Sequence, residues 1–185
     1  MTFITSTTLR YDKMLIKEVI HHLADENVPK FFEAARSQVP LETGAILTVT
    51  RLPTAEHYPF FPLAWKVWMA NSGTPYLEYA QIMRDAGFSV STEVLDYEVV
   101  IGKEQWFTMI RNRFWSTFAD MSDGEIEEGL AHLEGKLAEG AFGYNSSDGN
   151  LHFSDRLVFI LAGAAATSPA KKSHDQQPVR PGRHR

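Results

Sequence analysis

Cysteine is absent from the 185 residues. That excludes disulfides, a thiolate nucleophile and zinc–thiolate sites, and it fits a reducing compartment. No apolar run approaches the roughly 18–20 residues of a membrane span. Residues 1–10 lack the basic-then-apolar layout of a secretory signal, so the expectation is a soluble cytoplasmic protein with no membrane partner. Three catalytic signatures are missing as well. There is no G-x-S-x-G elbow, no Walker phosphate loop and no G-x-G turn anywhere in the chain. The serine in "KKSHDQ" lies beside a histidine, but in a polar stretch close to the C-terminus. Nucleophilic catalysis and nucleotide-triphosphate hydrolysis therefore have no motif to rest on.

What is present is a packed core in prospect. Hydrophobic residues make up 44% and aromatics 12% of the chain, which argues against disorder. The length suits one domain plus a tail. Charge is uneven: from Thr167 onward, five lysines and arginines stand against Asp175 alone, a net of +4. The overall −5 thus leaves −9 on residues 1–166. So acidic a body is a poor nucleic-acid binder, because phosphate contacts need clustered Lys and Arg. The segment 166–185 reads as a disordered basic tail, either simply solvated or carrying a targeting signal.

Periodicity divides residues 1–165 into elements. "YDKMLIK" (11–17) reads as a strand. "ADENVPKFFEAARSQV" reads as a helix, with Val28, Phe31, Phe32 and Ala35 on one face and Pro29 in its first turn. A turn at Gly44 leads to a strand over 45–50, completing a parallel βαβ unit. The loop 51–62 carries three prolines and is irregular for most of its length. "LAWKVWMA" suggests a helix. Another starts at Thr74 as N-cap, with Pro75 at the first helical position, and stops at Gly87. "FSVSTEVLDYEVVIG" reads as strand, but its alternation changes phase near Val94–Leu95, which predicts a bulge or a break. A helix from Lys103 to Phe118 is predicted by Trp106, Ile110, Phe114 and Phe118. The next opens on a Ser122–Glu125 capping box and lines up Ile126, Leu130, Leu133 and Leu137. "LHFSDRLVFILAGA" is the last strand. The order is β-α-β-α-α-β-(helices)-β, an α/β domain with an inserted helical pair.

"YDKMLIKEVIHHLADENVPKFFEAARSQVPLETGAILTVTR", "MRDAGFSV" and the closing "RLVFILAGA" together resemble class I S-adenosylmethionine-dependent methyltransferases of the type 11 branch. They match the fourth strand with its histidine-bearing turn, the fifth strand, the entry to the sixth and the final antiparallel strand. The resemblance spans roughly residues 11–165. It implies an α/β fold that is a partial Rossmann-like methyltransferase sheet, the equivalents of strands 4–7, with flanking helices. The family's glycine-rich cofactor loop and the acidic residue that binds ribose have no counterpart here. The resemblance therefore implies a truncated chain, the C-terminal half of a methyltransferase-like domain over 1–165. Its first strand would then be an exposed apolar edge.

The implied function is methyl transfer from S-adenosyl-L-methionine to a small-molecule acceptor. The alternative is a non-catalytic module that pairs with itself or a partner through the strand 11–17 edge. Ligands of open α/β sheets bind at the carboxyl ends of strands. By family position Lys17 and Glu18 would face the methionine part of the cofactor; otherwise they are a solvated strand end. His21 or His22 is the candidate general base, since histidine titrates near neutrality; the alternative is a helix-start histidine without catalytic duty. Adjacent histidines on a helix diverge by about 100°, so no metal is expected there. Arg51, His57, Tyr58 and Phe60 would border the substrate, unless the loop packs its aromatics onto the body. Trp106, Arg111, Arg113 and Trp115 suggest a helical lid, with Trp106 read rather as core. Arg111 and Arg113 cannot share one helix face, and Arg111 is the one placed on the substrate side. Glu125, Glu127 and Glu128 read as a solvated helix start.

Overall fold

The computed structural model describes residues 10–40, 43–54 and 56–163. The basic tail, 166–185, lies outside the described residues. β1 (Lys13–Lys17) leads through two short 3-10 turns, Ile20–His22 and Asp25–Asn27, into α1 (Val28–Gln38). β2 (Ala45–Arg51) returns beside β1 in parallel, with Leu15 opposite Leu47. Between α1 and β2 the chain passes so close to itself that a Cβ at Gly44 would sit 2.2 Å from Val39 Cγ1 and 2.6 Å from the Pro40 carbonyl. Only glycine fits that approach.

α2 (Pro62–Asn71) and α3 (Tyr76–Asp85) follow, then β3 (Ser89–Gly102). The N-terminus of α3 falls one residue later than Thr74 predicts. Pro75 holds the N-cap position, and the Thr74 hydroxyl instead donates to Asp25 Oδ1 at 2.7 Å. Gly87, at φ +90°, ends the helix as expected. α4 (Lys103–Arg111), a 3-10 turn (Ser116–Phe118) and α5 (Asp123–Ala138) form the inserted helical layer, and β4 (Asn150–Gly163) closes the chain. The sheet order is β1-β2-β4-β3, with β4 antiparallel to both neighbours.

The expected bulge in β3 is absent. All fourteen residues pair with β4 in one unbroken register, from Ser89↔Gly163 to Gly102↔Asn150. The change of phase has another cause: one long ribbon serves two cores on opposite faces. At one end the even positions Val90, Val158, Ile160 and Ala162 face α1 and α3, packing with Phe32, Ala35, Tyr79 and Met83. At the other end the odd positions Val99, Ile101, Leu151 and Phe153 face α4 and α5, packing with Trp106, Ile110, Ile126 and Leu130. Apolar residues switch parity where the covered face switches.

The predicted helix 103–118 is also corrected. It stops at Arg111 because Arg113 adopts φ +52°. Arg113 N–H then donates to the Ile110 carbonyl (2.9 Å) and Phe114 N–H to that of Met109 (3.0 Å), the two bonds of a Schellman cap. Phe114 turns outward at 67% exposure, whereas Phe118 is fully buried by way of the 3-10 turn. The capping box of α5 forms as read: Glu125 N–H donates to Ser122 Oγ, and Ser122 N–H to Glu125 Oε2 at 2.8 Å.

Candidate functional site

β1 and β2 run parallel, so their carboxyl ends open on the same side of the sheet. There α2 and the segment 114–117 close a cleft of about 460 Å³. Its floor is Lys17, Glu18, Thr50 and Arg51; one wall carries His21 and His22, the other Trp68, Phe114 and Trp115.

Glu18 occupies the left-handed region at φ +55° immediately after β1, while its N–H still donates to the Val49 carbonyl at 2.9 Å. A left-handed residue without glycine costs of order 1 kcal/mol and persists where its surroundings hold it. Here the hold is Arg51 at the end of β2, whose Nε donates to Glu18 Oε2 at 2.8 Å. Glu18 Oε1 is buried and has no hydrogen-bond partner. An acceptor in that state costs free energy unless a ligand or water supplies a donor.

The other arm of Arg51 is engaged elsewhere. Its Nη1 donates to Tyr58 Oη and to Asp155 Oδ1, Tyr58 Oη donates to the same Asp155 oxygen, and Tyr97 Oη donates to Oδ2 at 2.6 Å. Burial works against the charge of Asp155, but the bonds from Arg51, Tyr58 and Tyr97 outweigh it and hold the carboxyl below its usual range. Burial likewise opposes the Arg51 charge, and Asp155, Tyr58 and Glu18 more than restore it. The result is a chain of fixed charge running from β4 through β2 to the cleft.

His21 and His22 lie in a 3-10 turn, not an α-helix, and their rings meet at 4.1 Å with a 50° tilt. Burial, and then the neighbouring His22, lower the His21 pKa against the pull of Glu18, which keeps the ring neutral with an acceptor nitrogen at neutral pH. Among the described residues no group of three His, Asp or Glu side chains is placed to hold a metal ion.

The fold therefore brings Lys17, Glu18, His21, His22 and Arg51 to one cleft. It does not bring the other four expected residues to its wall. Tyr58 and Phe60 are 4% and 1% exposed within the second core, because the proline-rich loop folds its aromatics inward. His57 packs against the Tyr58 ring at 4.3 Å. Arg111 pairs with Glu127 across α4 and α5, at 2.8 and 3.1 Å. Trp115, expected in a helical lid, stands in the wall; residues not anticipated are Trp68 and Phe114 beside it and Asp155 with Tyr97 behind the floor. Asp155 had a signal: in "LHFSDRLVFIL" it shares the parity of the inward-facing Leu151 and Phe153.

Among solved structures, the chain is similar to a protein assigned as a methyltransferase of an antibiotic biosynthesis pathway in Anabaena variabilis. The TM-score is 0.58 at 13% identity, over 85% of this chain and 70% of that one. The four-stranded sheet with its flanking helices is a partial Rossmann-like methyltransferase fold. Looser similarities extend to a Bacillus halodurans protein with the same kind of assignment (TM-score 0.46, 14% identity, 86% of this chain and 73% of the other). They also reach the Mycobacterium tuberculosis cyclopropane synthase MmaA2 (0.43, 15%, 86% and 57%). No protein-family model and no curated protein matches the chain by sequence.

Proposed function

We propose that the cleft of this chain is part of the cofactor and acceptor site of an S-adenosylmethionine-dependent methyltransferase acting on a small molecule, within a domain spanning residues 1–165. The observation that carries the reading is the cleft floored by Lys17, Glu18 and Arg51 at the carboxyl ends of two parallel strands, in a fold similar to that of a methyltransferase. The Glu18 carboxylate is the partner of the right charge for the ammonium at the amino-acid end of S-adenosylmethionine. Lys17 beside it is the counter-charge for the carboxylate of the same group. Nothing in the sequence supplies a G-x-G loop for the adenosine end, so the expected affinity of this chain is low.

S-adenosylmethionine supplies, when bound, a methyl group on a sulfonium whose sulfur leaves as a neutral thioether. The chain's own contribution is positioning, the main source of rate in such a displacement, plus one proton acceptor. His21, neutral at pH 7, takes the proton that the acceptor molecule loses, and His22 is its alternate. Trp68, Phe114 and Trp115 give an apolar aromatic wall that excludes water and suits an apolar acceptor.

NMR titration with millimolar S-adenosylhomocysteine tests the reading. Amide signals of 17–22 and 50–52 are expected to shift with saturation; shifts scattered over the surface, or none, would overturn it.

One observation favours pairing through the strand edge instead: β1 is terminal in the sheet and Leu15 is 65% exposed. Antiparallel pairing of two copies centred on Leu15, however, sets Lys13 opposite Lys17, a like-charge contact that opposes it. Light scattering that gives a monomer across concentration counts against this second reading.

A further inference from the structure

Two concavities meet at Phe114. One is the cleft; the other is a groove of about 370 Å³ along the outer side of α4, and Phe114 lines both. An exposed aromatic needs no explanation on its own. This one, however, is held in place. Its N–H donates to the Met109 carbonyl at 3.0 Å, and the Arg113 side chain before it is tied to the Met121 carbonyl and Asp123. Its ring stands edge-on to Trp115 at 5.0 Å, and Trp115 packs against Trp106, Phe60 and Phe118. The aromatic wall of the cleft therefore continues, through a fixed and exposed ring, into the groove.

The groove offers little to a polar ligand. Gln105, Thr108, Met109 and Asn112 stand at i, i+3, i+4 and i+7, one stripe along α4 and its C-cap, while Trp106, Phe107 and Ile110 anchor the helix in the core. The Thr108 hydroxyl donates within the helix, to the Glu104 carbonyl at 2.8 Å. Glu104, the charged residue of the lining, pairs with Lys103 at 3.3 Å. Met109 and Phe114 supply the apolar surface. By the rise of the helix, the stripe from Gln105 to Asn112 is about 10 Å long.

We propose that the acceptor is a single-chain amphiphile whose polar head lies in the cleft beside His21 and whose unbranched alkyl or acyl tail crosses Phe114 into the groove along α4. That the head is methylated rests on the methyltransferase reading; the continuity of cleft and groove does not. The polar end of the cleft, Lys17 to His22, suits the head, and the groove has room for roughly an octyl length of tail.

The test is NMR titration with sodium butanoate and sodium decanoate, two carboxylates that differ only in chain length. Butanoate is expected to shift amide signals of 17–22 alone. Decanoate should shift 17–22 and 105–112 together, on one saturation curve, and bind at least about tenfold more tightly. That is a small share of the roughly fourfold that each fully buried methylene supplies. Decanoate shifts that omit 105–112, or that saturate there separately from the cleft, overturn the proposal. Met109→Glu places a charge in the groove and should remove the decanoate advantage while leaving butanoate binding unchanged. An advantage retained in that variant is decisive against. Should Met109→Glu not fold, Thr108→Glu, at an exposed position on the same stripe, takes its place with the same expectation.

The S-adenosylhomocysteine titration separates this proposal from the reading it deepens. If that ligand leaves the cleft unmoved while decanoate saturates cleft and groove together, the cofactor reading falls and the amphiphile site stands. If S-adenosylhomocysteine shifts the cleft and decanoate never reaches 105–112, the cofactor reading stands and the amphiphile falls.

Discussion

At the scale of the residue, Asp155 is where stability and the site meet. A carboxylate on an inward position of a strand is tolerated only with its hydrogen bonds made, and here three donors converge on it. Its folded pKa lies below the unfolded value of about 3.9. The associated stability is therefore complete above that unfolded value and is lost as pH falls through the lower, folded pKa. Asp155→Asn cannot titrate, so urea denaturation from pH 6 to pH 2 should show a shallower acid loss in the variant than in wild type. Parallel curves would mean that Asp155 titrates alike in both states. A second residue is defined by what it lacks: a Cβ on Gly129 would meet the Phe61 ring at 2.5 Å, inside the second core. Gly129→Ala gains helix propensity but overpacks the contact between α5 and the aromatic loop. A net loss of about 1–2 kcal/mol is expected in urea.

At the scale of the element, the features legible in the sequence were those whose signal is local. The α5 capping box is one. Ser122→Ala should cost about 1 kcal/mol, read as a lower urea midpoint with an unchanged slope, and an unchanged midpoint would show the cap to be idle. The apolar faces of α1 and α5, the βαβ unit and the Gly87 stop were local too. The C-terminus of α4 was not, because the left-handed position carries Arg113 where glycine would announce a stop. That conformation is offset by bonds made elsewhere: Arg113 donates to the Met121 carbonyl at 3.0 Å and to Asp123 Oδ1 at 2.6 Å. The change of phase in β3 was visible, yet its meaning depended on which face each helix covers, and that is settled only by tertiary packing. The cleft shows the same limit. Lys17–His22 follow from the end of a strand, while Trp68 and Phe114 reach it, and Asp155 stands behind its floor, from distant segments that no spacing rule connects.

At the scale of the molecule, the two layers do not cover the sheet evenly. α1 and α3 pack on the even positions of β1, β2 and β4, and α4 and α5 cover only the far end of the odd face. Leu15, Leu47 and Leu161 lie in one row across three strands on the face opposite α1 and α3. Leu15 is 65% and Leu161 47% exposed, although Leu161 belongs to a central strand. Such a patch beside the β1 edge is an aggregation liability. Replacing both leucines with lysine adds charge to the patch without opening a cavity. The doubly substituted chain is expected to stay soluble at several-fold higher concentration than wild type. Its urea stability should fall by no more than about 1 kcal/mol, since neither side chain is buried. Equal solubility limits would show that this face does not govern association. A stability loss of several kcal/mol would show that the face is covered in solution by something the described residues do not include.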